Sequence, residues 1–169
     1  MIAMVTGPDG APSILHRTYL TDDGYKAPVI EPRLFMPGTI AKGAAIRLAP
    51  ARDALGIAEG IETALSASAL FGVPCWAAGN AGLLAAWQPP PEAKRIIIFG
   101  DNDPDYGGQA AAYALAKRLR SNERVVEVHI PAEVGADWND VHELRLTGVE
   151  VPLYATAINH FGQIGASNG

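Results

Sequence analysis

Four consecutive apolar residues, Ile96, Ile97, Ile98 and Phe99, run almost directly into aspartates at alternate positions, Asp101, Asp103 and Asp105. The apolar run is too short for a buried helix and rich in β-branched side chains, so it predicts a strand covered on both faces. Gly107 and Gly108 follow, and then an alanine-rich stretch with Ala111, Ala114, Leu115 and Leu119 on one helical face. A strand, an acidic turn and a helix in that order set carboxylates at the carboxyl end of a strand, where open α/β sheets keep their sites. Closely spaced carboxylates repel one another unless a cation sits among them, and hard oxygen donors suit Mg²⁺ or Mn²⁺. The expectation is an α/β fold, Rossmann-like in plan, with a mainly parallel sheet flanked by helices and a divalent metal at its rim.

The flanking sequence extends that pattern. Leu55 to Ala58 predicts a strand, Ile61 to Phe71 a helix, Cys75 to Ala78 a strand and Ala81 to Trp87 a short helix. Arg124 to Ile130 predicts a further strand, and Asn139 to Leu146 a helix capped by Asn139 or Asp140. Residues 1–53 are different: short extended runs around Gly7-Pro8-Asp9-Gly10 and Asp22-Asp23-Gly24, a segment punctuated by Pro28, Pro32 and Pro37, and a short strand near Ala45. The expected organisation is a β-rich subdomain over 1–53, an α/β domain over 54–146, and over 147–169 a helix around Leu153 to Phe161 with a disordered end.

Three strand-to-helix junctions carry acids: Glu59 and Glu62; Asp101, Asp103 and Asp105; Asp137 and Asp140. In a parallel sheet these junctions share one edge, so distant residues can converge on one ion. The alternative is that acids at helix starts cap free amides and complement the helix dipole. That alternative suits Glu62, Asp105 and Asp140 singly, and suits Asp101 with Asp103 less, because both precede the helix. An EF-hand calcium loop would need Gly and Glu where Tyr106 and Ala112 stand. A phosphatase using the first Asp as nucleophile stays open, although it leaves Glu59 unexplained.

The formal charge is −5, and its distribution is uneven. Residues 1–56 hold six Lys and Arg against five Asp and Glu, a net of +1, and the remainder holds seven against thirteen, a net of −6. Arg17, Lys26, Arg33, Lys42 and Arg47 offer only a thin basic surface, so nucleic-acid binding by this chain alone should be weak. A lone cysteine, Cys75, precludes an internal disulfide or a multi-thiolate zinc module, and its apolar neighbours mark a buried structural thiol. His16, His129, His142 and His160 lack ligand spacing. No apolar run approaches the roughly 20 residues of a membrane span and the N-terminus lacks a signal peptide, so a cytoplasmic protein without membrane contact is expected.

Ala58-Glu59-Gly60 after one strand, with Asp101-x-Asp103 after a later one, resembles the Toprim domain shared by bacterial-type primases, topoisomerases and some nucleases. Gly135-Ala136-Asp137-Trp138-Asn139-Asp140 is similar to the third acidic motif of the primase branch. The string from Ala58 to Leu65 most resembles primase-type Toprim proteins of plasmids and phages. The N-terminal hairpin, Arg17 and Lys26 are similar to the segment preceding Toprim in replicative primases. Two departures stand out: those primases carry an acid where this chain has Thr63, with Glu62 one place earlier, and they have a zinc-binding module.

The resemblance implies a metal-dependent nucleotidyl-transfer centre. Asp101, Asp103 and Asp137 would hold Mg²⁺ or Mn²⁺, and Glu59 would act as general base on an attacking hydroxyl, or as acid in strand cleavage. Arg17 and Lys26 would contact a triphosphate or template backbone, and Asn80 could bind a phosphate or be an ordinary turn residue. The implied partners are a single-stranded DNA template and NTPs, with a helicase or zinc-binding domain supplied by other chains or a longer parent protein. A Toprim nuclease, or a non-catalytic nucleic-acid-binding remnant, is the alternative.

Overall fold

The computed structural model describes residues 1–120 and 124–153. The helix expected around Leu153 to Phe161, and the expected tail, lie almost wholly outside the described residues. The elements are β1 (Ile2–Thr6), β2 (Pro12–Thr18), β3 (Arg33–Phe35), β4 (Ala45–Ile46), β5 (Ala54–Ala58), α1 (Ile61–Phe71), β6 (Cys75–Ala77), α2 (Ala81–Ala86), β7 (Arg95–Phe99), α3 (Gly107–Leu119), β8 (Val125–His129) and α4 (Trp138–Leu146). From β5 onward strand and helix alternate as the sequence predicts, and β6, β5, β7 and β8 pair in parallel. β1 to β4 extend this sheet by antiparallel pairing, giving one mixed sheet in the order β3-β2-β1-β4-β6-β5-β7-β8.

Alternation along β7 divides the apolar interior in two. Ile96 and Ile98 pack with Leu84, Leu115 and Leu119, beneath α2 and α3. Ile97 and Phe99 pack with Ile61, Ala64, Trp138 and Val141, beneath α1 and α4. Successive strand side chains point to opposite faces, so a fully apolar strand at the centre of the sheet is what a three-layer arrangement demands. The buried face of α3 is Gly108, Ala111, Ala112, Leu115 and Leu119, whereas Ala114, expected on that face, is exposed. Ala112 takes the inner position because it stands one turn before Ala116 and follows Gly108, both of which also lie towards the sheet.

The N-terminal strands share the interior under α1, with Val5, Ile14 and Ile46 buried beside Ala58 and Ile61. Their pairing sets His16 opposite Phe35 and Thr18 opposite Arg33, so these four side chains share one face. No helix among the described residues is long and apolar enough to cross a membrane.

Candidate metal centre

Parallel strands deliver the acidic turns to one rim. Immediately after β5, the Glu59 carbonyl accepts the Gly79 N–H at 2.8 Å, tying the ends of β5 and β6 together. After β7, the Gly100 N–H donates to the His129 carbonyl at 3.0 Å, which does the same for β7 and β8. The next turn is laced to the loop after β8: the Asn102 N–H donates to the Ala136 carbonyl at 3.0 Å, and the Gly135 N–H to the Asn102 carbonyl at 2.7 Å. That loop ends at Asp137, the N-cap of α4, where buried Trp138 packs its ring against Phe71 and Phe99. The helix is thereby pinned to the core beside its capping acid.

Asp101 lies deepest in the cluster. Its Oδ1 is buried with no hydrogen-bond partner. Burial pushes its carboxyl up to about 7, with the negative charges of Asp137, Glu59 and Asp103 adding to the shift and Arg33 opposing it. Glu59 is raised too, by burial first and then by Asp103, while Arg33 and the Ala81 backbone N–H draw it down. Asp103 Oδ2 accepts the Gly108 N–H at 2.7 Å. Only glycine fits at position 108, since a Cβ there would stand 2.8 Å from the Asp101 carbonyl oxygen. Asp137 Oδ1 accepts the N–H groups of Asn139 and Asp140 at 2.7 and 3.0 Å, and its Oδ2 accepts the Thr63 hydroxyl at 3.2 Å.

Glu59, Asp101, Asp103 and Asp137 therefore occupy one electrostatic neighbourhood. Among the described residues, no group of three or more Asp, Glu, His or Cys side chains is arranged to hold a metal ion as it stands. The donor chemistry nevertheless fits a divalent cation. A buried carboxylate oxygen without a donor, surrounded by further carboxylates, is stabilised only by a proton or a positive ion, and hard oxygens favour Mg²⁺ or Mn²⁺.

The other residues singled out in the sequence have different surroundings. Asp105 is exposed and accepts the Gly107 N–H at 3.1 Å, supporting the start of α3. Asp140 accepts the Asp137 N–H at 2.9 Å and completes a capping box, so the cap of α4 is Asp137 and not Asn139 or Asp140. Glu62 is ion-paired with Lys26 at 3.6 Å and Arg33 at 3.7 Å. Asn80 caps α2, accepting the Leu83 N–H at 2.9 Å. Arg17 is on the face of β2 opposite His16 and Thr18, its guanidinium 5.0 Å from the centroid of the Tyr19 ring. His16 and His129 pack edge-on against Phe35 and against Phe71 and Phe99, as core residues do, and His160 lies outside the described residues.

Three contributors were not apparent in the sequence. Arg33, counted there only as part of a thin basic surface, is among the described residues the cation that acts on both Glu59 and Asp101. Thr63, at the position of a missing acid, holds Asp137 instead. Asn102, which reads as a spacer, binds two neighbouring segments. Beside the acids runs a groove of about 550 Å³ whose lining includes Tyr25, Lys26, Arg33, Glu62, Thr63 and Asp137.

Comparison with known proteins adds a family and a set of folds. A family model described as a Toprim domain matches residues 54–148, and one described as a domain of unknown function matches residues 1–48. No curated protein matches the sequence. Among solved structures, a DNA primase domain from Pseudomonas aeruginosa is similar with 17% identity and a TM-score of 0.56, over 86% of this chain and 46% of that one. The zinc-binding and RNA polymerase domains of the Aquifex aeolicus primase match at 18% identity and a TM-score of 0.52, over 87% and 37%. The RNA polymerase domain of a Mycobacterium tuberculosis primase in complex with double-stranded DNA matches at 16% identity and a TM-score of 0.51, over 90% and 53%. At these identities the likeness is one of fold, and the chain spans about half or less of the length of these structures.

Proposed function

Because the chain belongs to the Toprim family, we propose that it is a metal-dependent nucleotidyl-transfer module of the primase type, joining NTPs into a short RNA on single-stranded DNA. The observation that carries the reading is the buried, unpartnered Oδ1 of Asp101 among the charges of Glu59, Asp103 and Asp137. It supports a cation at the rim from which a phosphate can be approached. The primase fold of the similar structures, one of them in complex with double-stranded DNA, supports nucleic acid as the partner class.

Asp101, Asp103 and Asp137 would hold Mg²⁺ or Mn²⁺, which when bound supplies positive charge to a phosphate under attack. Glu59 is the general base. Its proton affinity, raised by burial and by Asp103, suits removal of a proton from a 3′-hydroxyl near neutral pH. Asp137, its oxygens fixed by two backbone amides and Thr63, has little rotamer freedom to lose, and its charge acts on Asp101. Lys26 and Arg33 line the groove and would attract the phosphates of the incoming nucleotide, in exchange for their pairing with Glu62. Selection of a start site would fall to a helicase or zinc-binding domain carried on other chains or on a longer parent protein.

The test is incubation with a single-stranded template, NTPs and Mg²⁺ or Mn²⁺. Short RNA products are expected, and their loss in Glu59→Gln and Asp101→Asn. Strand cleavage in place of extension would assign a nuclease, and neither reaction would leave a binding role only.

A further inference from the structure

The turn after β7 and the loop after β8 each bring an acid to the rim, and a single side chain is bonded to both the loop and the helix behind the turn. Asn102 Nδ2 donates to the Pro131 carbonyl at 2.9 Å and to the Ala132 carbonyl at 3.3 Å. Its Oδ1 accepts from Gln109 Nε2 at 2.7 Å, and the same Gln109 nitrogen donates to the Asp103 carbonyl at 3.0 Å. Together with its two backbone bonds to Gly135 and Ala136, all of Asn102's polar groups are engaged. The loop so held is the one that ends at Asp137.

We propose that Asn102 is a positioning residue for the metal centre: it locks the loop 131–136 against the turn carrying Asp101 and Asp103, and so sets where Asp137 stands relative to them. The inference rests on the metal-dependent reading above. An amide does this where an acid or an alkyl chain cannot, because the site requires two donors towards carbonyls and one acceptor towards Gln109 at once. The Asn102 side chain is fully taken up by Pro131, Ala132 and Gln109. Its influence runs through Asp137, as expected of the groups that orient metal ligands.

Mn²⁺ titration followed by electron paramagnetic resonance, on the whole chain, tests this without any catalytic readout. Asn102→Ala is expected to weaken Mn²⁺ binding about 10- to 100-fold. Asp137→Asn, which keeps the helix cap and removes the charge, is expected to weaken it as well, and adding Asn102→Ala to Asp137→Asn should weaken it little further. Gln109→Met removes the hydrogen bonds to both Asn102 Oδ1 and the Asp103 carbonyl; its loss remains measurable should Asn102→Ala fail to fold, and the share that passes through Asn102 disappears when it is added to Asp137→Asn. Full Mn²⁺ affinity in Asn102→Ala or in Gln109→Met overturns the proposal, as do effects of Asn102→Ala and Asp137→Asn that multiply in full. If the unmodified chain binds no Mn²⁺, the metal-dependent reading itself falls, and the positioning role with it.

Discussion

Without metal, Asp101 sets how the fold responds to pH. Its carboxyl titrates near 7 in the folded chain and near 4 in an unfolded one. A group that holds its proton more tightly when folded contributes stability that is present below the unfolded value and lost as pH rises through the folded value. Glu59 is shifted in the same direction. Urea midpoints measured in EDTA should therefore fall between about pH 4 and pH 7, recover when Mg²⁺ is added at pH 7.5, and flatten in Asp101→Asn. A midpoint that rises over this range contradicts the assignment. Arg33 draws both carboxyls down, so Arg33→Met should move the acidic limb of a pH–rate profile to higher pH, whereas Glu62→Gln, which removes the half-buried partner of two exposed cations, should leave folding stability within about 1 kcal/mol.

At the scale of elements, the start of α4 combines two roles in Asp137. Asp137→Ala should destabilise the fold by about 1 kcal/mol through loss of the cap, and Asp137→Asn by far less, while both lose Mn²⁺ affinity. Thermal denaturation beside metal titration separates the two. The alternation of strands and helices from β5 onward was readable from sequence: α1 runs from Ile61 to Phe71, the bounds expected of it. The cap of α4 was not, because Asp137, Asn139 and Asp140 all have capping chemistry, and the choice is made by burial of Trp138. β3 spans three residues after a proline, too short to show alternation, and so Arg33 gave no sign of reaching the acids. Thr63 with Asp137, and Asn102 with Pro131, are partnerships between residues far apart in the chain, and local pattern carries no trace of them.

Over the whole molecule, the N-terminal strands join the parallel ones through a narrow seam. β4 pairs with β6 at Ile46 and Ala77, and Ile46 is buried there. Ile46→Ala should destabilise the fold by about 2–5 kcal/mol, read from denaturant midpoints. A fragment covering residues 54–153 would lack Lys26 and Arg33 and leave β6 with an open edge, so it should melt below the complete chain and self-associate more readily, as light scattering would register. The strand at the middle of the sheet offers a finer instrument. Ile97 and Ile98 are neighbours in sequence, yet one supports the layer bearing Trp138 and the other the layer bearing Leu115. Trimming a single methyl from each in turn would make two chemically equivalent lesions whose disturbances travel to opposite sides, one reaching the helix headed by Asp137 and the other the helix that begins beside Asp103.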